Sequence, residues 1–242
     1  MARTSRTEHY KREVSRVEGF SDAVFAFAIT LLVVSLEAPK TFHELMAVVR
    51  ALPAFAVCFA LLFQVWWRHY RFFRKYDLED GYVIALTGLL LFVVLFYVYP
   101  LKFLWSVLLS PVASGGHSTE EILTLAQVPM LFVIYGTGVL ATFGILALLY
   151  AHAYRRRDQL ELSAVEVLDA RVDIYRNIGV ASVGLVSMTL AVILGAVAPR
   201  TVGIAGFFYA VIGFVEWGLG EYQGRERRKL LAVASTADTS TA

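Results

Sequence analysis

Residues 16–36 read RVEGFSDAVFAFAITLLVVSL. After a charged start, the stretch 20–36 is apolar except for Ser21, Asp22, Thr30 and Ser35, and it reads as the first span. A helix needs about 20 residues at about 1.5 Å each to cross a hydrocarbon core of about 30 Å, and this stretch has that reach. Five more stretches of comparable length follow, at 45–67, 82–109, 128–150, 178–198 and 202–222. Across the 242 residues, 58% are hydrophobic and only 17% charged, with a mean hydropathy of +0.62. Soluble domains carry about 25% charge, and one of this size has no interior able to hide so much apolar surface. Barrel strands would be about ten residues long with alternating polarity, and nothing here alternates. The sequence therefore reads as an all-α integral membrane protein with six transmembrane helices.

The basic residues set the orientation. Of 22 Lys and Arg, all but Lys40, Arg50, Lys102 and Arg200 lie in the N-terminal segment, after the second span, around the link from the fourth to the fifth, or after the sixth. The positive-inside rule then makes that side, and both termini, cytoplasmic. The first span reads as a membrane helix rather than a cleaved signal peptide. Its apolar run is long, holds Asp22 and is followed by no A-x-A site. Ser15-x-x-Glu18 and Ser163-x-x-Glu166 are capping-box patterns that start the first and fifth helices. Pro100 inside the third stretch predicts a kink or an early exit. The expected layout is a cytoplasmic segment at 1–14, a six-helix membrane domain at 15–231, and a polar, disordered tail at 232–242.

Few residues offer chemistry. Cys58 is the single cysteine, and the five histidines show no metal-binding spacing. No enzyme activity, cofactor or resident metal is expected, and no nucleic-acid partner. Asp22 lies inside the first span, where an aspartate is costly and calls for a partner. At about 100° per residue, Arg16 is about 120° around the helix from it, so each is expected to pair with a different helix. Ala23, Phe27, Thr30, Leu31 and Val34 fall on one stripe. Repeated around a symmetry axis, that stripe would make an apolar constriction with a hydroxyl ring beside it. Glu216 is expected to pair with Arg176 or to sit hydrated at the interface. Gly136, Gly138, Gly144, Gly213, Gly218 and Gly220 suit close helix packing. Thr201-Val202-Gly203-Ile204-Ala205-Gly206 has the flavour of a carbonyl filter, but the short link between the last two spans leaves no room for a pore helix and re-entrant loop.

The run Arg16-x-x-x-Phe20-Ser21-Asp22, continuing into Ala23-Val24-Phe25-Ala26-x-Ala28-Ile29-Thr30-Leu31-Leu32, resembles the first helix of the potassium channels of the transmembrane protein 175 family. Trp66-Trp67-Arg68-His69 is similar to the W-x-x-H ending of their second helix. The resemblance implies a homotetramer in the bacterial plasma membrane whose first helices line a central pore passing potassium with modest selectivity. It implies pore-lining roles for Phe27, Thr30, Leu31 and Val34, with Phe27 as the narrowest ring, Thr30 a turn beyond it and Val34 nearer the outer mouth. It also implies a polar network of Arg16, Ser21, Asp22 and His69 at the cytoplasmic side. The family usually places a branched aliphatic residue where this chain has Phe27. A secondary transporter or proton-conducting carrier is the alternative reading, and it would want broken helices and acids near the midplane.

Overall fold

Ser15 opens the first helix: its hydroxyl accepts the Glu18 N–H at 3.1 Å, and α1 runs Arg16–Val34. The structure is a computed structural model and describes residues 14–34, 40–113, 124 and 126–240. Then come α2 (Phe42–Tyr76), α3 (Gly81–Ala113), α4 (Val128–Arg155) and α5 (Ala164–Val197). A 3-10 turn at Pro199–Thr201 leads to a short α6 (Ile204–Phe207), a second 3-10 turn and α7 (Val211–Ser240). The described residues contain no strand. Among the described residues, four segments are long and apolar enough to cross a membrane: Gly81–Leu104, Val128–Arg155, Ala164–Val197 and Ile204–Leu230. The two parts of α2, Phe42–Arg50 and Phe55–Tyr76, form a fifth if taken together, bent by 46°. The chain is thus a multi-pass membrane protein. Part of the first expected span, 35–36, lies outside the described residues.

Local chemistry explains the boundaries. Thr41 caps α2 by accepting the Glu44 N–H at 3.2 Å. Asp80 caps α3 by accepting the N–H groups of Tyr82 and Val83, both at 3.0 Å. Ser163 and Glu166 form the expected capping box, with the Ser163 N–H donated to Glu166 at 2.8 Å. The bend in α2 brackets Pro53, which lacks an N–H and crowds the preceding turn. Pro100, by contrast, does not end α3, which continues to Ala113. The early exit expected there is not seen; the Tyr135 hydroxyl instead donates to the Pro100 carbonyl and ties α3 to α4. α7 is helical through Ser240, across most of the segment expected to form a disordered tail.

One core joins α1, α2, α3, α4 and α5, with Phe25, Phe72, Phe73, Leu90, Leu146 and Leu149 fully enclosed. α4 and α5 make the most extensive helix pair among the described residues. They approach closely because Gly136 and Gly184 face each other: a Cβ on Gly136 would come within 2.9 Å of the Gly184 carbonyl oxygen. The 201–206 segment is a tight corner rather than a filter loop. Val202 and Ala205 are buried in it, and the Ala205 carbonyl accepts the Ser187 hydroxyl at 2.8 Å.

Candidate functional site

α1 has two faces. Glu18, Ser21, Phe25, Ala28 and Leu32 recur at spacings of three and four and are buried in the bundle. Ala23, Ala26, Phe27 and Thr30 face away from it and are exposed. The contrast is sharp at two phenylalanines, with Phe25 1% exposed and Phe27 55%. The Thr30 hydroxyl donates to the Ala26 carbonyl at 2.9 Å, which leaves its oxygen lone pairs as acceptors toward the open side. Leu31 is half-buried against the core at the edge of this face. Val34 ends α1, and its side chain lies outside the described residues.

Within one chain, the four polar residues expected at the cytoplasmic side have the following contacts. Asp22 accepts the indole N–H of Trp66 at 2.7 Å, so the two motifs at the ends of the resemblance meet each other directly. His69, 1% exposed, lies 3.4 Å from the Thr87 hydroxyl on α3, with the Phe25 and Phe73 rings against it. The Ser21 hydroxyl is turned back to its own helix, donating to the Val17 carbonyl at 2.7 Å. Arg16 is exposed and has no ion-pair partner among the described residues.

A single turn of α2 holds the bundle together. Trp66 reaches α1 through Asp22, and His69 reaches α3 through Thr87. Between them the Arg68 carbonyl accepts the Tyr150 hydroxyl of α4 at 2.9 Å. The Arg68 guanidinium donates to Asn177 of α5 at 3.2 Å and to Glu216 of α7 at 2.5 Å, over the face of Phe143. Residues 66–69 therefore bond to five helices. In the sequence, Arg68 stands out as one of the orienting basic residues and as a spacer in the W-x-x-H ending, with no partner indicated. The signal that could have found it was an arginine flanked by two aromatic residues and a histidine, with an unexplained acid, Glu216, in the last span. Glu216 does pair with Arg176, at 2.7 Å, and with Arg68 as well.

More ion pairs gather at the same end of the bundle. Asp173 is approached by Lys75 at 3.2 Å, Arg176 at 3.3 Å and Arg71 at 3.7 Å. Asp169 takes Lys75 at 3.4 Å and the Gln223 amide at 2.6 Å. Asp80 lies 2.7 Å from His152 and 3.0 Å from Arg156. Partial burial pushes the Asp80 carboxyl upward. The His152 contact, the Val83 N–H and the Arg156 charge outweigh that and hold it below its ordinary value.

Residues 16–97 match the family described as endosomal/lysosomal potassium channel TMEM175. A potassium channel of Marivirga tractuosa is 38% identical over 227 residues, covering 91% of this chain and 92% of that protein. A potassium channel of Chamaesiphon minutus is 34% identical over 124 residues, which is 47% of this chain and 60% of that one. Among solved structures, a variant of the potassium channel MtTMEM175 bound to a nanobody fusion superposes with a TM-score of 0.79 at 35% identity, over 93% of this chain and all of that one. A lysosomal potassium-selective TMEM175 homologue from Chamaesiphon minutus shares the fold at a TM-score of 0.54 and 23% identity, over 84% of this chain and 96% of that one. With the Asp22–Trp66 bond joining the first two helices inside the matched region, this chain belongs to the TMEM175 family.

Proposed function

We propose that this protein is a potassium channel of the bacterial plasma membrane, in which the α1 helices of four copies line a central pore. In this reading the chain crosses the membrane six times with both termini in the cytoplasm. Phe27 forms the narrowest ring and Thr30 the hydroxyl ring above it, with Leu31 and Val34 flanking them. Potassium is the permeant ion, and no other metal or cofactor takes part. The observation that carries the reading is the unpartnered face of α1. A membrane helix whose buried stripe already docks on the bundle presents a second face with a large ring and an outward-facing hydroxyl oxygen. Family membership gives that face a use. The carrier alternative finds no support at the two embedded acids, since Asp22 is bonded to Trp66 and Glu216 is held by two arginines.

An apolar ring cannot replace an ion's hydration shell, so it acts as a barrier rather than a binding site. Potassium gives up water more easily than sodium, and a narrow apolar ring favours it kinetically. Thr30 oxygens offset only part of the lost hydration, which keeps the selectivity modest. The test is reversal-potential measurement on the purified full chain in liposomes with opposed potassium and sodium gradients. Potassium and the larger alkali cations should carry more current than sodium. Equal currents, or none, would overturn the reading.

A further inference from the structure

The ionic cluster at the α2–α5–α7 junction surrounds a cavity of about 150 Å³. Arg68, Arg71 and Arg176 wall it, against two carboxylates, Asp173 and Glu216, so the wall carries one excess positive charge. The excess is concentrated on Arg71. Arg68 and Arg176 both bond Glu216 at short range, whereas Arg71 has only a 3.7 Å pair with an aspartate that Lys75 and Arg176 approach more closely. Its side chain is 33% exposed. Toward the middle of the span the same cavity shares Gln64 and Trp67 with an open apolar groove made by Ala60 and Phe63. Phe63 and Trp67 are each almost half exposed. Gln64 is an exposed amide in a hydrophobic stretch with no hydrogen bond among the described residues, and polar groups at membrane depth are found where they have partners.

The juxtaposition is directional. Arg71 and Arg68 lie toward the basic end of α2, about 8–12 Å from its last residue at about 1.5 Å per residue, within reach of the headgroup layer. Phe63 and Ala60 lie about two to three turns deeper than Arg71 at about 3.6 residues per turn. A cationic socket at headgroup depth, continuous with an apolar channel running inward, matches a molecule with an anionic head and a hydrocarbon tail. We propose that this junction is a binding site for an anionic glycerophospholipid. Its phosphate is held by Arg71, its ester carbonyls accept from the Gln64 amide, and an acyl chain lies along Ala60 and Phe63. Basic pockets between membrane helices on the cytoplasmic side are where such headgroups bind. The proposal does not depend on ion conduction.

Native mass spectrometry of the purified full-length protein tests it, with equal amounts of phosphatidylglycerol and phosphatidylcholine offered in detergent. Wild-type protein should retain phosphatidylglycerol in preference to phosphatidylcholine. Arg71→Gln should cut that preference about five-fold, which is what one basic residue near the surface contributes. Arg71→Lys keeps the charge and should hold most of it, and remains informative if Arg71→Gln folds poorly. Arg74 is on the same basic turn but does not line the cavity, so Arg74→Gln should leave the preference intact. Four results would overturn the proposal: no preference in the wild type; equal loss in Arg71→Gln and Arg74→Gln, which would mean diffuse surface charge; displacement of the lipid by millimolar inorganic phosphate, which would mean a free-anion site; or dissociation of the assembly in Arg71→Gln with no lipid retained by the wild type, which would assign the groove to a second copy.

Discussion

Phe25 and Phe27 are two residues apart on one helix, and their surroundings could hardly differ more. Phe25 is locked against His69 and the core, while Phe27 projects from the opposite side. Truncating Phe25 should therefore unfold the bundle, by about 3–5 kcal/mol for a buried phenylalanine. Phe27→Ala should leave stability nearly unchanged, raise ion flux and lower the preference for potassium. Liposome flux assays on both variants, with thermal stability as the control, separate the two roles. Unchanged flux and selectivity in Phe27→Ala would move the constriction elsewhere. Thr30→Val removes the hydroxyl at nearly constant volume and should reduce potassium preference without closing the pore. A channel with undiminished selectivity would remove Thr30 from the mechanism. The exposed face was legible in the sequence because helical periodicity separates 23, 27 and 30 from 25, 28 and 32. The polar partners were not. Asp22 and Trp66 are 44 positions apart, and nothing local to either names the other.

At the scale of the helix, capping is local chemistry and was readable, whereas packing is relational and was not. Ser15 and Ser163 start their helices as their patterns require. Prolines show the limit: Pro53 lies in the bend of α2, whereas at Pro100, where the sequence predicts a kink or an early exit, α3 continues to Ala113. A proline's effect depends on whether neighbours compensate, and the sequence does not show neighbours. Glycines make the same point. Gly136 and Gly138 meet other helices closely, but a Cβ added at Gly144, Gly213, Gly218 or Gly220 would meet no neighbouring element within 4 Å, and Gly184 is the counterpart of Gly136. Gly136→Val should thus force α4 from α5 and destabilise the protein by about 1–3 kcal/mol, as overpacking does. Gly144→Ala should be neutral or slightly stabilising, since helical glycine is itself unfavourable. Thermal unfolding of both variants in detergent, followed by size-exclusion chromatography, compares them. Equal melting temperatures would mean that the α4–α5 crossing is not tight.

For the whole molecule, the fold has two separable supports: ion pairs at the basic end and the α1–α2 contact behind the exposed face. The first is pH-dependent through Asp80. Because its folded carboxyl titrates below its ordinary value of 3.8, its contribution is present above that value and is lost as pH falls through the lower folded one. Acid unfolding of wild type should accordingly steepen below about pH 4, and Asp80→Asn should flatten that slope. Identical acid profiles would remove Asp80 from the balance. The second support bears on assembly. Asp22 points from α1 to Trp66 and His69 is enclosed between α2 and α3, so neither side chain lies on the exposed face with Phe27 and Thr30. They orient the helix that carries that face. Asp22→Ala leaves the half-buried Trp66 N–H without its protein acceptor, and such a hydrogen bond contributes about 0.5–1.5 kcal/mol net. Trp66→Phe removes the donor from the other side and should reproduce the defect, with the double variant little worse than either single one. In the proposed tetramer, assembly yield by size-exclusion chromatography with light scattering should fall in Asp22→Ala, Trp66→Phe and His69→Ala, while any tetramer recovered keeps wild-type ion preference. Full tetramer yield with altered selectivity would instead put these side chains in contact with the permeating ion.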